Sequence, residues 1–208
     1  MRTRLTAGEK PNRKRMATLA CVYDAEPAPR RPRVIAPPAG RHGHRELRPR
    51  PKAEAKWLDG SVEADPAEVI AAAFDQAQAR DPARRRPWVV LVDGAEHQLG
   101  LIRAEAQRRG VTNSIVIDFV HVLEYLWKAA WSLHPAADPA AEDWVAVKAL
   151  AVLAGDSAPV AADITSEADA AGLTAEQRRG ADTCVHYLTS KHEFLRCDKA
   201  LAAGWCAR

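Results

Sequence analysis

A chain of 208 residues with 47% hydrophobic side chains can bury a substantial core, as one domain with an insertion or as two small domains, and it is not disordered throughout. No apolar run approaches the roughly 20 residues of a membrane span. The first ten residues, with Arg2, Arg4, Glu9 and Lys10, lack the apolar centre of a secretion signal, so a cytoplasmic protein with no membrane partner is the expectation. The formal charge of +3 conceals an asymmetry: residues 1–56 carry 15 Lys/Arg against 5 Asp/Glu, and residues 57–208 carry 15 against 22.

In chain order, residues 1–15 are polar, and residues 15–23 form a β-prone stretch ending at Asp24 before a series of prolines. Residues 26–51 hold seven prolines, two glycines and a row of arginines with little apolar material, a composition that builds no packed element. Residues 56–63 suit a second strand pairing back on the first, with Asp59-Gly60 expected as a bulge or tight turn. Asp65-Pro66-Ala67-Glu68 is a helix start, with Asp as N-cap, Pro in the first turn and Glu three residues after the cap. The helix continues through Val69, Ile70, Ala73, Phe74 and Ala77 and stops before Asp81-Pro82.

Residues 87–93 and 114–118 are short apolar, β-branched runs that each stop on an aspartate and read as interior strands of a parallel sheet. Between them Leu99, Ile102 and Ala106 recur at helical spacing up to Gly110, which makes a strand–helix–strand unit. Its strands run parallel, so Asp93 and Asp118 leave the sheet at one edge. After Asp118 a helix carries Val120, Leu123, Tyr125, Leu126, Trp127 and Trp131 on an expected apolar face. Beyond His134-Pro135 the pattern is helical: Asp138-Pro139 starts one helix, and Thr174 with Gln177 forms a capping box for another carrying Cys184, Tyr187 and Leu188. Two antiparallel strands, a helix, then strand, helix, strand and helix is the order of an RNase H-like mixed sheet without its first strand. The fold class expected is therefore α/β, an incomplete RNase H-like mixed sheet with an all-α unit after it.

Asp93, followed by Gly94, is placed to hold a divalent cation, because a carboxylate at a strand tip projects from the sheet and glycine admits a ligand to the backbone. It reads equally well as a strand-to-helix cap. Asp118 could assist through a second ion, although it also sits where an N-cap belongs. His121, one turn later, could support the site or be an ordinary helix histidine. The four cysteines, Cys21, Cys184, Cys197 and Cys206, lack Cys-x-x-Cys spacing and read as reduced thiols, and His186 and His192 do not complete a metal pattern with them. Trp127, Trp131 and Trp144 read as core anchors. The basic clusters at residues 10–15 and 30–56 are of the kind that neutralise phosphates, and Arg13, Lys14, Arg15, Arg48, Arg50 and Lys52 are the expected DNA contacts.

Residues 12–18, Val22-Tyr23-Asp24, residues 48–52, residues 86–99 and residues 118–131, with Tyr187-Leu188, Phe194-Leu195-Arg196 and residues 200–204, resemble in order the ISKra-type insertion-sequence transposases. The resemblance implies an RNase H-like core that cuts and joins DNA with an Asp-Asp-Glu triad and Mg²⁺ (or Mn²⁺), interrupted by a helical insertion. Asp93 matches the triad's second aspartate. The family's first aspartate lies upstream of the segment matched by Gly8, and its glutamate lies in a Thr-Gly-x-Ile-Glu segment after the position of Gly204; neither has a counterpart here. The expectation is thus a fragment that is inactive alone, divided into a basic strand and Pro/Arg-rich loop (1–56), a core remnant (57–134) and a helical insertion region (135–208). Its expected partners are transposon ends, target DNA, and a second copy or an intact transposase, with a nucleoid-associated location. A non-enzymatic protein that binds DNA or an intact transposase is the alternative. A phosphatase with Asp93 as nucleophile is disfavoured, since that class wants an aspartate where Ala95 stands.

Overall fold

The computed structural model describes residues 17–32 and 52–205. Strand β1 (Thr18–Asp24) pairs antiparallel with β2 (Glu54–Ser61). Period-2 alternation sets the faces of β1: Thr18, Ala20 and Val22 are half-buried, while Leu19, Cys21 and Tyr23 point to solvent. The expected irregularity at Asp59-Gly60 is absent, because both residues pair in regular register with Ala20 and Leu19. At Gly60 a Cβ would displace the exposed end of the Leu19 side chain and meet the Thr18 carbonyl oxygen at 3.0 Å, so glycine eases the close pairing of the two strands. The ladder breaks instead between Val22 and Asp24.

Helix α1 (Pro66–Arg80) begins as its sequence requires, with the Asp65 carboxylate accepting the Ala67 N–H at 2.8 Å. It buries Val69, Ile70 and Phe74. The chain then turns at Asp81, a buried carboxylate that accepts from the Arg85 and Arg86 backbone N–H groups, both at 2.9 Å, and from Trp88 Nε1 at 3.2 Å. Those two backbone donors, helped by the Trp88 indole and the Arg86 charge, hold its pKa below the usual carboxylate range. Asp81 thereby fixes the entry into β3.

Strand β3 (Trp88–Val92), helix α2 (Glu96–Arg109) and strand β4 (Asn113–Ile117) form the expected unit, with β3 and β4 parallel and paired from Trp88↔Asn113 to Val92↔Ile117. The two ladders are not hydrogen-bonded to each other. In place of one mixed sheet the described residues form a mixed α/β structure with two separate two-stranded sheets.

Helix α3 (Phe119–Leu133) follows, then α4 (Pro139–Leu153), α5 (Ser157–Ala170), α6 (Arg179–Ser190), a 3-10 turn (His192–Phe194) and α7 (Cys197–Ala202). No described helix is long and apolar enough to cross a membrane. The core of α3 is rotated from the expected face: Phe119, Val122, Leu126, Ala129 and Ala130 are buried, whereas Val120 and Trp131 are 40% and 66% exposed. Small alanines, not the large aromatic, let α6 pack closely, and Gly180 of α6 sits so near the Lys128 carbonyl that no Cβ fits. Trp127 and Trp144 are half-buried, and the Trp144 indole donates to Glu167 at 2.6 Å. Hydrophobic burial is divided in two. One cluster joins β4, α3 and every later helix, with Ile117, Leu126, Leu153, Ile164 and Leu188 fully buried; the other holds Ile70 and Phe74 against Val92, Leu99 and Ile102.

Candidate functional site at the Asp93 and Asp118 edge

The β3–β4 register decides what meets at this edge. Val92 and Ile117 are the last pair, so Asp93 and Asp118 are the next residues of two parallel neighbours, and the Asp118 N–H still donates to the Val92 carbonyl at 2.8 Å. The edge expected from the sequence is therefore formed. Each carboxylate also caps its own helix, because Asp93 Oδ1 accepts the Ala95 N–H at 2.9 Å and Asp118 Oδ1 accepts the Val120 N–H at 3.0 Å. The cap reading of both aspartates is formed. One oxygen orients each side chain, and the second oxygen of each accepts no hydrogen bond from the described residues.

The backbone behind Asp93 is tightly held. Gly94 is buried at φ +91, where a Cβ would lie 3.1 Å from Ile117 Cδ1 and 3.4 Å from the Tyr187 hydroxyl. Tyr187, a buried residue of α6, donates its hydroxyl to the Asp93 carbonyl at 3.0 Å and stacks on Tyr125 with ring centroids 3.8 Å apart. Burial pushes the Tyr187 phenol up, and Tyr125 together with the charges of Asp93, Asp118 and Glu124 pushes it the same way. The phenol is a permanent donor that ties the helical unit to the tip of β3. The sequence places Tyr187 only on a helix; the missing signal is tertiary, since Tyr187 lies 94 residues from Asp93.

His121 sits one turn into α3 and shares a 3.2 Å contact, Nδ1 to Oε2, with Glu124, so it faces along the helix toward another side chain of the same stripe. His97 is exposed. The buried thiols Cys184 and Cys197 are reduced and are pushed up to about 12 and about 11 by loss of solvent, and Cys21 is a free, exposed thiol. Among the described residues no three His, Cys, Asp or Glu side chains converge as metal ligands. Asp93 and Asp118 could together offer two oxygen ligands, which falls short of the donor set a two-ion site requires.

Of the expected DNA contacts only Lys52 is among the described residues; it is exposed and lies 3.8 Å from Glu54. Arg13, Lys14, Arg15, Arg48 and Arg50 lie outside them.

A cavity of about 1630 Å³ separates the two sheets. Residues 19–24 of β1 and 88–92 of β3 line it along their lengths, and α1 and α2 wall it with Ile70, Phe74 and Ile102. No residue of β4 lines it. At one end Asp24, which closes β1, binds Arg86 at 2.8 Å, two residues before β3 starts. The end of β1 thus lies near the beginning of β3.

No family model matches the chain, and no curated protein or solved structure matches it either.

Proposed function

We propose that the chain is the middle of a DDE-type DNA transposase, with the Asp93 and Asp118 edge as part of its metal and DNA site. The observation that carries this reading is the cavity between two half-sheets. An RNase H-like mixed sheet without its first strand leaves an antiparallel pair and a parallel pair facing across a gap, with an aspartate at the tip of the strand beyond it. The arrangement of β1–β2, β3–β4 and Asp93 supports that reading, and the order of motifs resembling the ISKra-type transposases supports it independently.

In an intact enzyme of this class a Mg²⁺ ion held by Asp93 would polarise the DNA phosphate. In this chain Asp93 offers a carboxylate oriented by its own cap, and the buried Gly94 with the Tyr187 hydroxyl holds the backbone behind it. With one carboxylate of the required triad, even helped by Asp118, the 208 residues hold an ion mostly through water and do not cut or join DNA by themselves. A non-enzymatic reading, in which the chain binds DNA or an intact transposase, draws on the same shortage of ligands. DNase footprints without Mg²⁺-dependent nicking separate it from an active enzyme.

The test uses Mn²⁺ as a paramagnetic probe of the full chain. Selective broadening of the amides at Asp93, Gly94 and Asp118 at millimolar Mn²⁺, lost in Asp93→Asn, is the expected result. Broadening elsewhere, or none at this edge, would remove the metal from the proposal.

A further inference from the structure

We infer that the solvent face of α3 is a surface on which a second copy of this chain docks, helix against antiparallel helix about a two-fold axis. The inference does not rest on the DNA chemistry. One side of α3 is buried through Phe119, Val122, Leu126, Ala129 and Ala130, and the opposite side carries Val120, Glu124, Trp127, Lys128 and Trp131 at helical spacing. Val120 and Trp131 are exposed and Trp127 is half-buried. The two indoles lie 6.0 Å apart, centroid to centroid, and with Glu124 and Lys128 they line a hollow of about 420 Å³. Large indoles grouped on one solvated helix face mark an interaction surface, whereas a lone exposed apolar residue does not.

The charges on this face select the occupant. Glu124 meets His121 Nδ1 at 3.2 Å, and Lys128 holds its ammonium 4.3 Å over the Tyr125 ring with no carboxylate in ion-pair range among the described residues. A polyanion is repelled by Glu124 and by the excess of acidic residues over 57–208, and a basic peptide is repelled by Lys128 in the same hollow. A copy of the face run in reverse supplies what each charge lacks. On two antiparallel helices related by a two-fold axis, a side chain on one flank meets the same flank of its partner at the mirrored height. With the axis level with Leu126, Glu124 stands two residues before it and Lys128 two residues after it, so Glu124 of each copy faces Lys128 of the other. Val120 stands six before and Trp131 five after, so each Trp131 indole covers Val120 of the other copy while the two Trp127 rings meet near the centre. Parallel helices set Glu124 against Glu124 and Lys128 against Lys128, which the charges forbid. Five side chains from each copy bury less than the roughly 1,200 Å² of stable complexes, so the dimer is weak, half formed at about 100 µM.

The test is sedimentation velocity of the full 208-residue chain over roughly 5–500 µM, a range that brackets that midpoint. The wild-type chain is expected to pass from monomer to dimer. Trp131→Ala, Glu124→Lys and Lys128→Glu should each raise the midpoint at least tenfold. An equimolar mixture of the Glu124→Lys and Lys128→Glu chains should associate again at the wild-type midpoint, because both contacts between unlike copies are then of opposite charge. Mixing does not repair a folding defect, so the restored association isolates the pairing of residues 124 and 128 between copies. A monomer throughout the range would overturn the inference, as would a dimer that either charge variant leaves intact or a mixture that stays monomeric. Association is read without metal or DNA. A dimer whose Asp93 edge binds no Mn²⁺ would leave this inference standing while the DNA reading fell, and a monomer that binds Mn²⁺ there would do the reverse.

Discussion

At the scale of single residues, the tip of β3 concentrates more constraint than its short sequence suggests. Gly94 combines a left-handed φ with a side-chain shell already in contact, so Gly94→Ala is expected to destabilise the fold by about 1–3 kcal/mol in urea unfolding, with wild-type stability refuting the crowding described. Tyr187→Phe removes the hydroxyl from the Asp93 carbonyl and should cost about 1 kcal/mol, with Asp93 and Gly94 amides exchanging faster. The thiols give a pH signature. Cys184 and Cys197 are held at about 12 and about 11 in the folded chain, against 9.0 for an unperturbed thiol. The unfolded chain therefore releases these protons first as pH rises, so their contribution to stability is full below about pH 9 and is lost progressively toward pH 11–12. Ser substitution at both positions should flatten that alkaline slope. Glu105 works in the opposite direction: Arg108 and Arg109 hold it at about 2 against 4.5, so its contribution is present above pH 4.5 and disappears as pH falls toward 2. Glu105→Gln should remove that acid limb.

At the scale of elements, the strands and caps were legible because their signals are local. Asp65, Asp118 and Asp138 each accept a backbone N–H at the start of the helix they precede, and β3 and β4 pair as their apolar, β-branched runs imply. The capping box is present too, with Thr174 and Gln177 bonding each other's backbone, although the helix itself begins at Arg179. What the sequence concealed was tertiary. The face of α3 is chosen by Gly180 and the alanines opposite it, so Trp131 is left in solvent although composition favoured burial. Helix α5 has no cap side chain and was not separable from its neighbours by pattern. The Asp59-Gly60 pair reads as a bulge or tight turn but lies in regular register opposite Ala20 and Leu19. Asp81 joins α1 to β3 through three donors, so Asp81→Ala should lower the unfolding midpoint more than substitution of exposed Asp59, as read by differential scanning calorimetry. Equal midpoints would mean that the turn is held by other contacts.

At the scale of the whole molecule, the acidic edge was readable because one strand–helix–strand unit sets it, whereas the division into two sheets depends on what stands between β1 and β3 and is written in neither strand. The charge asymmetry belongs to this scale as well. If the basic first quarter meets about six phosphates, log affinity for DNA should fall with log salt at a slope near −5, and deleting residues 1–56 should flatten it. An unchanged slope would assign DNA binding to the remaining 152 residues, which carry a net negative charge.

On the proposed function, Asp93 is one carboxylate of a DNA-cutting site that the rest of a transposase core would complete. Its most direct measurement is nicking of DNA by this chain and by a version extended with an aspartate-bearing strand before residue 1 and a Thr-Gly-x-Ile-Glu segment after residue 204, each with and without Asp93→Asn, in Mg²⁺. The expected result is no cleavage by the 208-residue chain, and cleavage by the extended one that Asp93→Asn abolishes. Cleavage by the 208-residue chain that Asp93→Asn removes, or cleavage by the extended chain that survives the substitution, would contradict it.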